Sequence, residues 1–219
     1  MTYFANHQTA RVHGLVLAAG KSERMGSPKP LLPLGGKTFL ERVVDSLEAA
    51  PLAGYHIVLG HQAPLIIQRL PRFREKVILN PEYERGQLSS LTAGLQALDW
   101  NSLDGILLCL IDHPLLSPDL IRTLVETFSI RPAPIIIPVC RGKRGHPVIF
   151  ARSLFAELMQ APPEQGAVAV VCRHQQEILH LEVEDEGILM DVDTPEEYEN
   201  LLAEMEGKNP RLGRSKILP

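Results

Sequence analysis

Residues 12–30 read VHGLVLAAGKSERMGSPKP, and this stretch determines both the fold class and the place where a ligand is expected. Its first part, Val12 to Leu17, is an apolar run typical of a buried strand. The run opens into a loop of small residues that carries three cations, Lys21, Arg24 and Lys29. Small residues let a backbone approach a ligand closely, and their N–H groups can hold phosphate oxygens. The stretch therefore predicts a strand followed by a triphosphate-binding loop.

Two better-known phosphate motifs do not fit this loop. Gly20-Lys21-Ser22 resembles the end of a Walker A loop, but that motif needs a glycine where this chain has Leu15. The nearest glycine, Gly14, comes one residue too early. The dinucleotide fingerprint is absent as well, because no glycine lies two residues before or after Gly20. A basic turn with solvated lysines is the alternative interpretation.

Outward from this loop, apolar runs alternate with amphipathic segments. The predicted strands are 12–17, 56–59, 76–79, 105–111 and 135–139, and the predicted helices are 38–49, 63–69, 89–98, 118–128, 153–159 and 195–204. Such alternation indicates βαβ units, and therefore an α/β fold with a mostly parallel sheet. The run 106–111 is apolar throughout, as expected of a central strand that is covered on both faces.

The composition is that of a compact enzyme. The chain has 219 residues, of which 45% are hydrophobic and 22% charged, and this excludes a disordered chain. A net charge of −4 argues against nucleic acid as a partner, and no apolar stretch is long enough to cross a membrane. Three widely spaced cysteines favour a reduced, cytoplasmic protein. We expect one domain over 11–206, a flexible lead-in over 1–10 and a flexible tail over 207–219.

Asp112 follows the central strand at the carboxyl edge of the predicted sheet, where open α/β sheets bind their ligands. A carboxylate beside a bound triphosphate is a natural ligand for Mg²⁺, which takes one or two protein carboxylates together with phosphate and water. The alternative is that Asp112 caps the turn before the helix at Pro118. Ser117 is better placed for that role, since it directly precedes a proline at the first helical position.

Asp191 and Asp193 form a second acidic pair, just before the Thr194-Pro195-Glu196 helix start. Residues at i and i+2 of an extended segment point the same way, so both carboxylates can face a metal. One of them can instead face the metal while Asp193 or Thr194 caps the last helix. We favour Asp191 as the ligand and keep Asp193 as a possible partner.

Residues 80–95 read NPEYERGQLSSLTAGL and lead into a predicted helix. Ser89 and Ser90 stand where N-cap hydroxyls belong, so a capping role is the simple interpretation. Their hydroxyl and free N–H groups can also meet a base or ribose. Gly94 inside a helix costs roughly 1 kcal/mol relative to alanine. It indicates the close approach of another element or of a ligand.

These segments resemble the nucleotidyltransferases of the molybdopterin cytidylyltransferase and guanylyltransferase group, within the nucleotide-diphospho-sugar transferase superfamily. The matching residues are Leu17-Ala18-Ala19-Gly20, Arg24-Met25-Gly26 and Lys29, and the likeness runs from about Arg11 to Leu202. The resemblance implies a Rossmann-like, three-layer α/β/α fold. It also implies a Mg²⁺ cofactor held by Asp112 and by an acid just before the last helix. The residues that it implies for nucleotide binding are Leu17, Ala18, Ala19, Gly20, Lys21, Arg24, Lys29, Ser89, Ser90 and Gly94.

The basic segment Arg144-Gly145-His146-Pro147-Val148 joins two strand-like runs, and a solvated hairpin is its simple interpretation. It resembles the segment that this family carries at its second substrate. The resemblance implies that Arg144, Gly145, His146 and Pro147 bind the phosphate of an acceptor. Glu164 to Ala167 resembles a later, weaker acceptor-side stretch.

The resemblance therefore implies transfer of a nucleotide from a triphosphate to an acceptor phosphate, with Lys21, Arg24, Lys29 and Asp112 in catalytic roles. Ala19 favours CTP, since guanylyl members usually have glycine there, and the acceptor is then molybdopterin. Transfer of another base, or transfer to a sugar or alcohol phosphate, is the alternative. A second alternative is a non-catalytic nucleotide-binding accessory of molybdoenzyme maturation. A molybdoenzyme or a chaperone is then the expected protein partner.

Overall fold

The computed structural model describes residues 9–207. Most of the predicted lead-in and tail lies outside these residues. The strands are β1 Val12–Leu17, β2 Pro33–Leu34, β3 Lys37–Thr38, β4 Gly54–Leu59, β5 Val77–Leu79, β6 Gly105–Leu110, β7 Ile135–Cys140, β8 Lys143–Arg144, β9 Val148–Ala151 and β10 Ile178–Glu182. The helices are α1 Phe39–Glu48, α2 Ala63–Arg69, α3 Gln87–Gln96, α4 Pro118–Ile130, α5 Phe155–Met159, α6 Ala167–Arg173 and α7 Pro195–Met205. None of these helices is long and apolar enough to cross a bilayer.

The main sheet has the strand order β10-β7-β9-β6-β1-β4-β5, and β8 pairs with the end of β7. β6 lies at its centre, and its neighbour β1 is parallel to both β4 and β6. β9 runs antiparallel between β6 and β7. The predicted mostly parallel sheet is therefore confirmed, with β9 as an antiparallel insertion. Because β1, β4 and β6 are parallel, their carboxyl ends lie at one edge of the sheet.

Two apolar cores cover the two faces of this sheet. Alternate strand residues point to opposite faces, so Val16 packs in one core and Leu15 in the other. Helices α1, α2, α4 and α7 contribute to the core that contains Val16, and α3, α5 and α6 to the core that contains Leu15. The three-layer α/β/α arrangement is the predicted one.

Several predicted caps hold, and one is wrong. Ser117 Oγ accepts the Leu120 N–H at 3.1 Å, and Thr194 Oγ1 accepts the Glu197 N–H at 3.3 Å. Thr194 is thus the cap of α7, and Asp193 is left for another role. Ser89 and Ser90 do not cap α3, because that helix begins two residues earlier, after Gly86. Gly86 has a φ of 94°, a conformation that few residues with a side chain adopt.

A histidine pair lies near the amino ends of β1 and β4, away from the ligand-binding edge. The rings of His13 and His56 are stacked with their centroids 5.0 Å apart, and Nε2 of His13 lies 2.9 Å from Nδ1 of His56. Burial, followed by the neighbouring His56, lowers the pKa of His13 from 6.5 to about 4. Burial likewise lowers the pKa of His56. Both rings are therefore neutral in the folded protein near pH 7.

We expect this pair to make the protein sensitive to acid. Its contribution to stability is complete above about pH 6.5 and is lost as the pH falls toward about 4, because the unfolded chain binds protons that folded His13 does not. At about pH 5 the loss is about 2 kcal/mol in the free energy of unfolding. Urea unfolding of wild type and His13→Gln at about pH 7.5 and about pH 5 measures it. The variant should lose less stability on acidification, whereas His180→Gln, an exposed control, should follow wild type. Equal losses in wild type and His13→Gln would contradict the assignment.

Candidate active site

A cavity of about 580 Å³ opens at the carboxyl ends of β1 and β6. Its floor is formed by the last residue of β1, Leu17, with Ala18 after it, and by the last residue of β6, Leu110, with Ile111 after it. The remaining lining residues are Ala19, Gly20, Lys21, Ser22, Glu23, Arg24, Lys29, Pro30, Tyr83, Gly86, Gln87, Ser90, Asp112 and Asp193. The predicted cationic loop and the predicted metal-binding aspartate thus meet in one cavity.

The loop after β1 keeps its shape through backbone contacts on both sides. The Ala18 N–H donates to Val58 O at 2.9 Å, and Ala19 O accepts the His61 N–H at 3.0 Å, so the loop is anchored to β4 and the turn after it. Farther along, Ser22 Oγ accepts the Lys29 N–H at 3.2 Å and closes the segment between them. This closure brings two cations that are five residues apart, Arg24 and Lys29, to the same cavity.

Both of these cations contact one carboxylate. Lys29 Nζ lies 2.5 Å from Asp193 Oδ1, and Arg24 Nη2 lies 2.7 Å from Asp193 Oδ2. The hydrogen bond from Lys29 and then that from Arg24 hold the pKa of Asp193 below its usual value, although burial opposes them. Lys29 is the more deeply placed cation, with 11% of its side chain exposed against 65% for Arg24.

Lys21 takes a different position. Its Nζ lies 2.8 Å from Glu84 Oε1, and both side chains are exposed. This ion pair joins the loop after β1 to the single turn Tyr83–Arg85 across the mouth of the cavity. Of the three predicted cations, Lys29 and Arg24 therefore converge on the aspartates, and Lys21 bridges the rim.

Asp112 stands beside the pair formed by Lys29 and Asp193. Its Oδ2 lies 3.8 Å from Lys29 Nζ, and its backbone O accepts the Val192 N–H at 2.9 Å. This backbone bond is what carries the segment before α7 to the end of β6. Oδ1 of Asp112 is buried and has no hydrogen-bond partner within residues 9–207. Buried polar atoms in native proteins are nearly always satisfied, so this oxygen calls for a ligand that the chain itself does not supply.

The preference for Asp191 over Asp193 stays a prediction, and the positions of the two carboxylates favour Asp193. Asp193 lines the cavity with Asp112, whereas Asp191 is exposed and lines a separate depression with Arg141 and Lys143. Within residues 9–207, no group of three or more His, Cys, Asp or Glu side chains forms a ready-made metal cage. Two carboxylates next to two cations still suit Mg²⁺, which completes its shell with phosphate and water. Asp112 and Asp193 therefore fit a metal that is bound together with the nucleotide.

On the other side of the cavity, Ser90 is the residue of α3 that matches the prediction best. It is buried and lines the cavity, with the uncharged side chains of Gln87 and Tyr83 nearby. Ser89 lies outside the cavity, and its hydroxyl donates to Gly86 O at 2.7 Å. The implied nucleotide contact of Ser89 is therefore not what the structure shows.

Gly94 does not line the cavity either. A Cβ at this position would come within 2.6 Å of Cδ2 of Leu15, a fully buried residue of β1. The glycine thus lets α3 pack closely on the sheet, which is the packing explanation of the two given above. Contact between Gly94 and the nucleotide is corrected accordingly.

Gly94→Ala should destabilise the protein and leave the nucleotide cavity intact. The added methyl group overpacks the core, and we expect a loss of about 1 to 2 kcal/mol in the free energy of unfolding after the gain in helix propensity is included. Urea unfolding, together with calorimetric titration of CTP, separates the two roles. Unchanged stability with weakened CTP binding would restore the ligand-contact interpretation.

The segment 144–147, which the resemblance implies to bind the acceptor, is only partly accessible. Arg144 is exposed, but the Gly145 N–H donates to Pro138 O and the His146 N–H donates to Ile188 O, at 3.0 and 3.1 Å. Pro147, which follows His146 through a cis peptide bond, is buried. A Cβ on Gly145 would lie 2.3 Å from Ile188 O, so glycine is required for this close approach. These contacts attach the segment to the chain that leads to Asp193.

His146 packs on His113, with ring centroids 5.1 Å apart. Burial, followed by His113, lowers the pKa of His146 to about 4, so the ring is neutral near pH 7 and carries no charge for an acceptor phosphate. Burial also lowers the pKa of His113, although the charge of Asp112 opposes the shift. The sequence pattern around Asp112 assigns no role to His113. Its place beside Asp112, directly after the strand end, is the signal that could have marked it.

The fold and the site together define a nucleotidyltransferase. The cavity lies where the parallel strands end and their loops begin, and it holds two cations, Lys29 and Arg24, next to two carboxylates, Asp112 and Asp193. Residues 14–178, about three quarters of the chain, match the family described as the MobA-like NTP transferase domain. The chain belongs to this family.

Relatives with several different names share this likeness. The chain is 30% identical over 197 residues to the purine catabolism protein PucB of Bacillus subtilis, covering 85% of this chain and 93% of that protein. It is 30% identical over 203 residues to nicotine blue oxidoreductase of Paenarthrobacter nicotinovorans (87% and 96%). It is 26% identical over 194 residues to molybdenum cofactor cytidylyltransferase of Escherichia coli (84% and 92%).

Solved structures agree with the fold. The structure of Rv0371c from Mycobacterium tuberculosis superposes with a TM-score of 0.75 at 28% identity, covering 88% of this chain and 98% of that one. The same mycobacterial protein has also been solved in complex with manganese, with a TM-score of 0.72 at 27% identity and the same coverage. A divalent metal is thus present in a relative with this fold.

Proposed function

We propose that this protein transfers CMP from CTP to the phosphate of molybdopterin, giving molybdopterin cytosine dinucleotide and pyrophosphate. The observation that carries the proposal is the convergence of Lys29, Arg24, Asp193 and Asp112 in one cavity at the strand ends. That arrangement supplies two cations for a triphosphate and two carboxylates for Mg²⁺. Buried Ala19 in the wall and the likeness to the E. coli cytidylyltransferase support CTP and molybdopterin as the substrates.

In this reaction an oxygen of the acceptor phosphate attacks the α-phosphorus of CTP in line. A new P–O bond forms as the bond to the β-phosphate oxygen breaks, and pyrophosphate leaves. A phosphate monoester is largely dianionic near neutral pH, so it needs no strong general base. The protein's task is to bring two anions together and to neutralise charge on the leaving group.

Lys29 and Arg24 are the residues placed for this task. When the triphosphate binds, their side chains exchange Asp193 for phosphate oxygens, and they stabilise the departing pyrophosphate. Asp112 and Asp193 would hold Mg²⁺, which supplies charge neutralisation and alignment of the phosphate oxygens when bound. Lys21 closes the rim through Glu84.

The test is pyrophosphate release with Mg²⁺, molybdopterin and each of the four ribonucleoside triphosphates in turn. Release with CTP and molybdopterin alone supports the proposal. Release with CTP and only another phosphate acceptor, such as a sugar phosphate, keeps the chemistry and rejects the acceptor. Nucleotide binding without release in any combination favours the accessory alternative, and an accessory would bind equally well with and without Mg²⁺.

Ala19→Gly should widen the choice of base. Ala19 lines the cavity, and its methyl group would narrow the space that a purine needs. One methyl group is worth roughly tenfold in discrimination, so we expect the ratio of kcat/KM for GTP to that for CTP to rise about tenfold. Steady-state pyrophosphate release with both triphosphates measures the ratio, and CTP turnover is the internal control. An unchanged ratio would remove Ala19 from base selection.

A further inference from the structure

Asn80 is a buried amide behind Ser90, 3% exposed, and both polar atoms of its side chain are hydrogen-bonded. Its backbone N–H donates to Leu59 O at 2.8 Å, which fixes it to the end of β4. Its Oδ1 accepts the Glu82 N–H at 2.9 Å. Its Nδ2 donates to Ser89 Oγ and to Ser90 Oγ, at 2.9 and 3.0 Å.

The direction of every one of these side-chain bonds is determined. A backbone N–H can only donate, so the atom of Asn80 that faces Glu82 must be the oxygen. The nitrogen therefore faces the two serines and donates both of its hydrogens. Each serine oxygen is thus an acceptor toward Asn80, and each hydroxyl must use its own hydrogen elsewhere.

The two serines use that hydrogen differently. Ser89 donates it to the backbone oxygens of Gly86 and Glu82, at 2.7 and 3.0 Å, outside the cavity. Ser90 lines the cavity, and within residues 9–207 its hydroxyl hydrogen meets no acceptor. The two adjacent serines are therefore held by the same amide, but only Ser90 offers a donor to a ligand.

The part of the ligand that Ser90 meets follows from the two faces of the sheet. Ser90 lies on α3, which packs on the same face as Leu15. Lys29 lies in the single turn Lys29–Leu31, which packs on α1 and α2 at the opposite face. A nucleotide with its phosphates at Lys29 would therefore cross the strand end and place its base beside Ser90 and Gln87.

We propose that Asn80 is a positioning residue that makes Ser90 a hydrogen-bond donor to the base, so that the site selects a base with an acceptor at this point. This inference rests on the proposed function only in that the ligand is a nucleoside triphosphate. In cytosine the acceptor is O2 or N3. A ribose hydroxyl would not read the polarity of Ser90, because a hydroxyl can either donate or accept.

The experiment is calorimetric titration of CTP with Mg²⁺, without acceptor so that no turnover occurs, on Ser90→Ala, Ser89→Ala, Asn80→Asp and wild type. Ser90→Ala should weaken CTP binding about tenfold, and Ser89→Ala should leave it at the wild-type value. Ser89→Ala loses its bonds to Asn80, Gly86 O and Glu82 O, whereas Ser90→Ala loses only the bond to Asn80. In thermal unfolding, Tm should therefore fall at least as much in Ser89→Ala as in Ser90→Ala. Equal weakening by the two serine variants would mean that the network is structural only, and would overturn the proposal.

Asn80→Asp keeps the shape of the side chain and tests the direction of its hydrogen bond with Ser90. A carboxylate cannot donate, so it draws the hydroxyl hydrogen of Ser90 toward itself and turns lone pairs toward the base. CTP binding should weaken by at least about tenfold, and combining this change with Ser90→Ala should add nothing to the effect of Ser90→Ala alone. Unchanged binding in Asn80→Asp with an intact fold would overturn the inference.

Failure of the proposed function can be told apart from failure of this inference about Asn80 and Ser90. If another triphosphate binds best, the same four proteins are titrated with that triphosphate, and the contrast between Ser89→Ala and Ser90→Ala decides this inference alone. If pyrophosphate is never released, the binding comparison still gives its answer. Loss of the serine contrast with intact turnover rejects the positioning role of Asn80 and leaves the transferase proposal standing.

Discussion

Asp112→Asn should lower the rate of pyrophosphate release by about a thousandfold while nucleotide binding without Mg²⁺ stays within a few-fold of wild type. The reason is the position of this carboxylate. It follows the central strand, one oxygen lies 3.8 Å from Lys29 Nζ, and the other is buried with no partner within residues 9–207. An amide keeps the shape but loses the negative charge that a divalent cation needs.

Control variants test whether the loss of turnover in Asp112→Asn arises at the cavity. Asp119→Asn removes an exposed carboxylate from the first turn of α4, and its turnover should equal that of wild type. Asp193→Asn should be impaired far more than Asp191→Asn, because Asp193 lines the cavity and Asp191 does not. Full activity in Asp112→Asn would exclude a metal role for this residue. Greater loss in Asp191→Asn than in Asp193→Asn would reinstate the preference derived from the sequence.

Lys29→Met should have the second-largest effect, lowering turnover by about a hundredfold to a thousandfold. The ammonium group is nearly buried and contacts Asp193 at 2.5 Å, so it is the cation held most firmly at the carboxylates. Its loss removes a phosphate contact and also leaves two carboxylates facing each other without a cation between them. We therefore expect the KM for CTP to rise and kcat to fall together.

Steady-state kinetics over a range of Mg²⁺ concentrations measures this prediction. Lys37→Met serves as the control, because Lys37 is an exposed lysine paired with Asp45 on the surface. Urea unfolding confirms that the Lys29 variant is folded. A rise in KM with unchanged kcat would show that Lys29 only binds the ground state and does not stabilise the leaving pyrophosphate.

The central part of the fold could be predicted from local sequence because its signals are short-range. β1 and α2 have the predicted bounds, and α4 and α7 begin at the predicted prolines, because an apolar run, an N-cap and an N1 proline act within one turn. β10 and α6 were missed. β10 is half-exposed with polar residues in its run, and its pairing with β7 depends on partners more than 40 positions away.

The residues of the candidate site also divide into those that local sequence predicts and those that it does not. Lys29, Arg24 and Asp112 could be found because each follows a strand end or lies in the loop after one. The choice between Asp191 and Asp193 could not be made, because an i, i+2 pair in an extended segment leaves both facing one side. Thr194 caps α7 through a local bond, and the long-range bond from the Val192 N–H to Asp112 O brings Asp193 to Lys29. The polarity of Ser90 likewise needs Asn80, ten residues before it, in place.

The double ion pair of Asp193 has a consequence for competition among anions. The carboxylate of Asp193 contacts both Lys29 and Arg24, so an anion that binds these cations has to replace it. A single phosphate group replaces the two carboxylate contacts of Lys29 and Arg24 with two phosphate contacts, so its net gain in binding free energy is small. A triphosphate offers further oxygens to other groups in the cavity, and its accompanying metal gives the displaced carboxylate a new partner. We therefore expect Asp193 to compete more strongly with inorganic phosphate and nucleoside monophosphates than with a triphosphate.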